Sequence, residues 1–130
     1  MSASIHQEIS FKVSPQRVYS ALTDAAQFQA FTGGAPAEIA NVAGGAFSCF
    51  GGMIVGRNIE LVPNQRIVQA WRAGNWGDGV YSIVRFVLNG KGSETQLIFD
   101  QTGFPEEHRD HLDAGWHKMY WEPLRKYLGA

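Results

Sequence analysis

Apolar and polar side chains alternate at the start of the chain. Ile5, Ile9, Phe11 and Val13 interleave with His6, Glu8, Ser10 and Lys12, which predicts a half-buried strand with Gln7 as the one polar residue on its apolar side. At Ser14-Pro15 the period changes. Serine suits a helix N-cap and proline the first helical position, and Val18, Ala21 and Leu22 form the apolar stripe of a short helix. Thr23-Asp24 reads as a second cap, followed by a short helix carrying Phe28 and Phe31 and ended by Thr32-Gly-Gly-Ala-Pro36. Strand patterns then dominate: residues 38–42, 46–50, 54–62, 65–72, 80–88 and 94–102, separated by Gly44-Gly45, Gly51-Gly52, Pro63-Asn64, the loop 73–79 and Asn89-Gly90. Within these, Val80, Val84, Phe86 and Leu88 share one face, as do Leu97 and Phe99. The last quarter, 105–128, returns to helical spacing. Leu112, Trp116, Met119, Tyr120, Pro123, Leu124, Tyr127 and Leu128 mark its apolar side, and Trp121 lies off that stripe.

One greasy helix after many tightly connected strands implies a curved antiparallel sheet of about six to seven strands wrapped around a long C-terminal helix, an α+β arrangement. A helix so clasped leaves room for a cavity beneath it. Pro123 cannot donate to the carbonyl of Met119, which predicts a kink. Gly115 lowers helix propensity beside Trp116, and close approach of helix to sheet is the expected reason.

Composition narrows the function classes. The 130 residues suit one domain spanning 1–130, and 45% hydrophobic against 18% charged suits a chain with a real core. A net charge of −1 gives no basic face for phosphates, so nucleic acid is not an expected partner. Met1-Ser-Ala-Ser-Ile-His lacks the basic-then-apolar pattern of a signal peptide, no stretch is long and apolar enough for a bilayer, and a cytoplasmic protein is expected. Cys49 is the only cysteine, which excludes an intramolecular disulfide, and no histidine is placed near it by any motif. His108 and His111, with Glu107 and Asp110, sit in the acidic first turn of a helix without a HExxH pattern, so no metal or other cofactor is expected. No nucleophile elbow or phosphate loop is present, and no catalytic residue is assigned.

The element order is similar to the helix-grip fold of the START-like (SRPBCC) superfamily. Within it, the stretch from Gly51 to Leu128 resembles the C-terminal domain of the activator of the 90-kDa heat-shock protein ATPase. The resemblance rests on Gly51-Gly52, Gly56, Leu61-Val62-Pro63, Ile67-Val68, Trp71-Arg72, Trp76, Glu94-Thr95, Gly115-Trp116 and Tyr120. Ser14-Pro15, Val18-Tyr19, Leu22-Thr23-Asp24 and the Phe28/Phe31 pair match more loosely. The resemblance implies two functions. Eukaryotic members carry this domain in a co-chaperone that stimulates the chaperone ATPase, with a separate N-terminal domain making much of the contact, and 130 residues are too short to hold both. Stand-alone members are similar to small proteins thought to bind apolar ligands.

An aromatic set provides the main functional lead. Trp71, Trp76, Tyr81, Phe86, Phe99, Trp116 and Tyr120 are candidates to line a pocket beneath the helix, holding a small apolar or aromatic ligand by ring stacking. Hydrophobic core is the plainer reading for each. Trp76 stands in a Gly-rich loop, where a gate or contact role is expected. Gln69, Gln101 and His117 are the polar candidates for orienting a ligand, with internal water or a neighbouring strand as the ordinary partner of a buried glutamine. Arg85 is opposite in parity to Val84 and Phe86, so it should face solvent or pair with Glu60 or Asp100. Ligand binding in the cavity is thus the first reading. A co-chaperone-like interaction protein acting on a heat-shock chaperone is the alternative, and a cyclase-like or hydrolase-like enzyme, needing His117 and an acid inside the pocket, is the second. Either a monomer or a homodimer is compatible with these readings.

Overall fold

The computed structural model describes residues 4–129; Met1–Ala3, on which part of the signal-peptide reading rests, lie outside the described residues. Strand β1 (Ser4–Phe11) alternates outward and inward at every position, with Gln7 inward as the pattern requires. Helix α1 (Pro15–Thr23) begins at Ser14, whose hydroxyl accepts the Arg17 N–H at 3.4 Å. Helix α2 (Ala25–Phe31) begins at Asp24, whose carboxylate accepts the Gln27 N–H at 3.0 Å. Six strands follow: β2 (Glu38–Ile39), β3 (Ala46–Cys49), β4 (Ile54–Val62), β5 (Arg66–Ala73), β6 (Ser82–Lys91) and β7 (Glu94–Thr102).

All pairings are antiparallel, and the seven-stranded sheet runs β1-β7-β6-β5-β4-β3-β2. A helix of 23 residues crosses its inner face. The inner positions form transverse rows. One row carries Ile5, Gln101, Val84, Gln69 and Asn58 on successive strands. Another carries Ser82, Trp71, Gly56, Phe47 and Ile39.

Several elements differ from the expected bounds. The strand expected over 38–42 stops at Ile39, and Val42 is exposed. The strand over 46–50 ends at Cys49, because Phe50 turns into the left-handed region at φ 55 and starts a 3₁₀ turn. The strand over 65–72 is shifted by one residue to Arg66–Ala73. The strand over 80–88 starts two residues later and runs on to Lys91, leaving Val80 outside the sheet and exposed.

The C-terminal helix shows the most instructive difference. It begins as a 3₁₀ turn (Glu106–His108), continues as α3 (Arg109–Gly115), passes through a π-helical turn (Trp116–Trp121) and ends as α4 (Glu122–Leu128). In the π-turn the Glu122 N–H reaches back five residues to the His117 carbonyl. The extra residue rotates Trp121 inward, so Trp116, Tyr120 and Trp121 are all buried. Met119 and Tyr127, assigned to the stripe by an uninterrupted helical period, are 43% and 41% exposed. The π-turn ends just before Pro123, and the proline occupies the first turn of α4, where a missing N–H is tolerated.

Gly115 does not serve close approach. A Cβ built there meets nothing within 4 Å, and its backbone is helical at φ −62. Gly115→Ala is therefore expected to raise stability by about 0.5–1 kcal/mol, the ordinary helix-interior difference between the two residues. Urea unfolding checks this; a loss of stability would show that the π-turn needs the glycine.

On the outer face, His6 bonds Asp100 at 2.7 Å and Glu8 at 2.9 Å, and Arg85 donates to Asp100 at 3.1 Å. Glu60 pairs with Arg66 instead. Asp100 and then Glu8 hold the His6 imidazole above its ordinary 6.5. Partial burial acts to raise the Asp100 carboxyl, but hydrogen bonds from His6 and Arg85 outweigh it and leave Asp100 below its ordinary 3.8. The raised histidine contributes fully below 6.5 and its contribution fades as pH rises through the folded value. The lowered carboxylate contributes above 3.8, and that contribution fades as pH falls through its folded value. His6→Ala should consequently destabilise more at about pH 5.5 than at about pH 9. Equal losses at both, read from thermal melts, would show that the charged pair adds nothing.

Candidate functional site

The sheet rows and the π-turn bring most of the aromatic set together. Phe86 and Phe99 are direct cross-strand neighbours with ring centroids 5.3 Å apart. Trp116 lies over them, 4.2 Å from Phe99 and 6.1 Å from Phe86, and touches Trp71 at 5.2 Å and Tyr120 at 4.3 Å. Trp121 closes the other side, 5.4 Å from Phe99.

Two glutamines anchor the indoles. The Trp116 Nε1–H donates to Gln101 Oε1 at 2.8 Å, and Gln101 Nε2 donates to Ser82 Oγ at 3.0 Å. The Trp121 Nε1–H donates to Gln7 Oε1 at 2.7 Å, while Gln7 Nε2 donates to the Asp113 carbonyl and carboxylate. Gln69 donates to Asn58 Oδ1 at 3.1 Å, and Asn58 in turn donates to the Ala40 carbonyl. Each glutamine on the inner face therefore has a protein partner, the ordinary solution for a buried amide. Among the described residues no buried side-chain nitrogen or oxygen lacks a partner.

Tyr81 and His117 do not join this interior. Tyr81 is 48% exposed, with the Arg72 guanidinium 5.5 Å over its ring. Its parity is that of the outward-facing Ile83 and Arg85, opposite to the buried Ser82, Val84 and Phe86. His117 faces solvent on the outer side of the π-turn, away from any acid inside the fold, so the arrangement that would favour an enzyme is not formed.

The space between sheet and helix is filled by these side chains. Beside them is a cavity of about 10 Å³ bordered by Leu22, Phe28, Phe47, Cys49, Gln69 and Tyr120. That is the room of about one water molecule. Burial pushes the Cys49 thiol up to about 12, which suits an inert core residue. Burial, with Cys49 as a lesser influence, also holds the Tyr120 hydroxyl far above its ordinary value; its oxygen accepts the Trp71 Nε1–H at 3.5 Å.

A larger space lies outside the core, at one end of the sheet. It is an open groove of about 590 Å³. One wall is Gly51–Ile54, a second is Ala73–Trp76 and a third is the helix side bearing His108, His111 and Leu112. Trp76 is not a free loop residue but is 6% exposed. Its ring meets Trp71 edge-on at 5.7 Å and lies parallel to His108 at 6.3 Å, and the Arg72 guanidinium donates to its carbonyl at 2.6 Å. Sequence reasoning weighed His108 and His111 only as metal ligands and did not join them to Trp76. The signals were present in Gly51-Gly52 and Gly74, which mark exposed backbone, and in 108, 111 and 112, which share a helical side. Among the described residues no group of three or more potential metal ligands converges, and no helix is long and apolar enough to cross a membrane.

Residues 12–129 match the family described as Activator of Hsp90 ATPase homolog 1-like protein. The human protein named activator of 90 kDa heat shock protein ATPase homolog 1 is 31% identical over 119 residues, covering 92% of this chain and 35% of the human one. The homologous activator of Dictyostelium discoideum is 36% identical over 107 residues, covering 82% of this chain and 28% of its own length. The chain thus spans about a third of the length of these curated relatives. A crystal structure of an HSP90 activator from Plasmodium falciparum superposes with a TM-score of 0.87 at 27% identity, covering 99% of this chain and 96% of that one.

Proposed function

This chain belongs to the Activator of Hsp90 ATPase homolog 1-like family, and from that membership we propose that it binds a 90-kDa-class heat-shock chaperone and modulates its ATPase. The observation that carries the proposal is the family match over residues 12–129, joined to relatives named for this activity. The interior supports an interaction role over an internal ligand, because ring packing and paired glutamines occupy the space that a ligand would need. A preformed domain that offers surface side chains such as Ile59, Ile83 and Met119 can bind a partner without reorganising. Surface contacts of this kind act by differential affinity: binding the chaperone conformation that hydrolyses ATP more tightly than the others shifts the population toward it.

The test is a pull-down of the chaperone from the same organism on immobilised chain, followed by its ATPase rate with the chain at saturation. A rate at least about twofold above the chaperone alone is expected, which corresponds to a differential binding of roughly half a kcal/mol. Absence of both capture and rate change would remove the proposal.

A further inference from the structure

The groove at the end of the sheet is unused by the chaperone reading and has the attributes of a ligand site. We propose that it binds a small planar aromatic molecule carrying an acidic group. Its volume of about 590 Å³ lies within the ordinary range for small-molecule sites, whereas the interior cavity of about 10 Å³ lies far below it. The floor is aromatic and held rigid, since the Trp76 ring is pinned edge-on against Trp71 and parallel to His108. A planar molecule extends that stack without ordering any new side chain. Met53, Ile54 and Leu112 supply the apolar sides.

The polar groups select the acidic function. Among the described residues no aspartate, glutamate, lysine or arginine lines the groove, and Asn75, His108 and His111 are polar side chains on it. All three present N–H donors, and an imidazole keeps a ring N–H in either protonation state. A carboxylate therefore meets donors and no opposing charge.

The main chain argues for a small molecule over an extended peptide. Gly74 N–H is bonded to the Met53 carbonyl at 2.8 Å, Gly51 N–H to Pro36 at 3.0 Å and Trp76 N–H to Ala73 at 3.1 Å. These bonded N–H groups interrupt the row of free donors that a peptide ladder along the groove would need.

The experiment is a titration of the full ¹⁵N-labelled chain with 2-naphthoate and, in parallel, with the uncharged 2-naphthalenemethanol. Saturable amide shifts concentrated at Gly51, Gly52, Gly74 and Asn75 are expected, with the alcohol at least about fivefold weaker. Met53→Glu and His111→Glu, both at exposed positions, should each weaken naphthoate at least about tenfold by placing a like charge at the rim. Met119→Glu, an exposed apolar position on the helix outside the groove, should leave binding within about twofold. Absence of saturation by about 5 mM, shifts centred elsewhere, or equal loss in Met119→Glu would overturn the site, since a Kd that weak carries only about 3 kcal/mol. Equal binding of the alcohol would overturn the acidic class. Chaperone capture lost in Met53→Glu, with no naphthoate binding to the unaltered chain, would make the groove a protein contact and end the small-molecule proposal while leaving the chaperone reading in place.

Discussion

Trp116→Ala is expected to lower the unfolding free energy by about 3–5 kcal/mol, the range for truncating a fully buried large aromatic. Trp116 is 1% exposed and touches Trp71, Phe86, Phe99, Tyr120 and Trp121, so its removal opens a void bordered by rings from three strands and its own helix. Those rings are held by neighbours on every side and relax little, which keeps the cavity cost high. A second loss adds to it: Gln101 Oε1 gives up its indole donor in a position with no solvent access. Trp116→Phe removes the N–H but only part of the ring volume, so it incurs the hydrogen-bond loss with a smaller cavity. It should fall roughly midway between the parent and the alanine variant. Urea unfolding of all three measures it, and a change under about 1 kcal/mol for alanine would show that the helix does not anchor the sheet through this residue.

The other large effect is expected at Gly56. It stands between Trp71 and Phe47 in a transverse row of the sheet. A Cβ there would come within 1.9 Å of the Ala70 carbonyl oxygen and 2.7 Å of the Phe47 ring. Neither neighbour can yield cheaply: one is main chain in the adjacent strand, and the other is a buried ring. Gly56→Ala should destabilise by at least about 3 kcal/mol, well above the usual single substitution. Adding Phe47→Leu should recover only part of the loss, because the carbonyl clash with Ala70 remains. Full recovery in the double variant, or a single variant as stable as the parent, would show that β4 and β5 can separate here without penalty. The contrast with Gly115, where the same added methyl meets open space, makes the pair a direct test of which glycines the fold requires.

The groove and the aromatic interior were legible to different degrees. Trp71, Phe86, Phe99 and Trp116 announced themselves as core through strand parity and helical spacing, and they converge as that parity demands. Tyr81 and His117 did not, for local reasons. Tyr81 has the parity of the exposed Ile83 and Arg85, and His117 lies about 100° around the helix from the buried Trp116. Gln7 and Gln101 were visible as polar residues on apolar faces. Their partners, Trp121 and Trp116, lie 114 and 15 residues away, a pairing that no local pattern contains.

By itself the chain of residues determined the two capped helices, the alternation of β1 and β7, the antiparallel order and the family. Each of these follows from interactions between residues a few positions apart, or from a pattern that such interactions leave behind. The tertiary structure alone decided that the interior closes almost completely and that an open groove forms at the end of the sheet. It also decided that Trp121 turns inward. These depend on how several side-chain volumes fill one space at once. A helix offered two indoles and two buried glutamines adopts the register that satisfies all four, even where that costs it a regular turn.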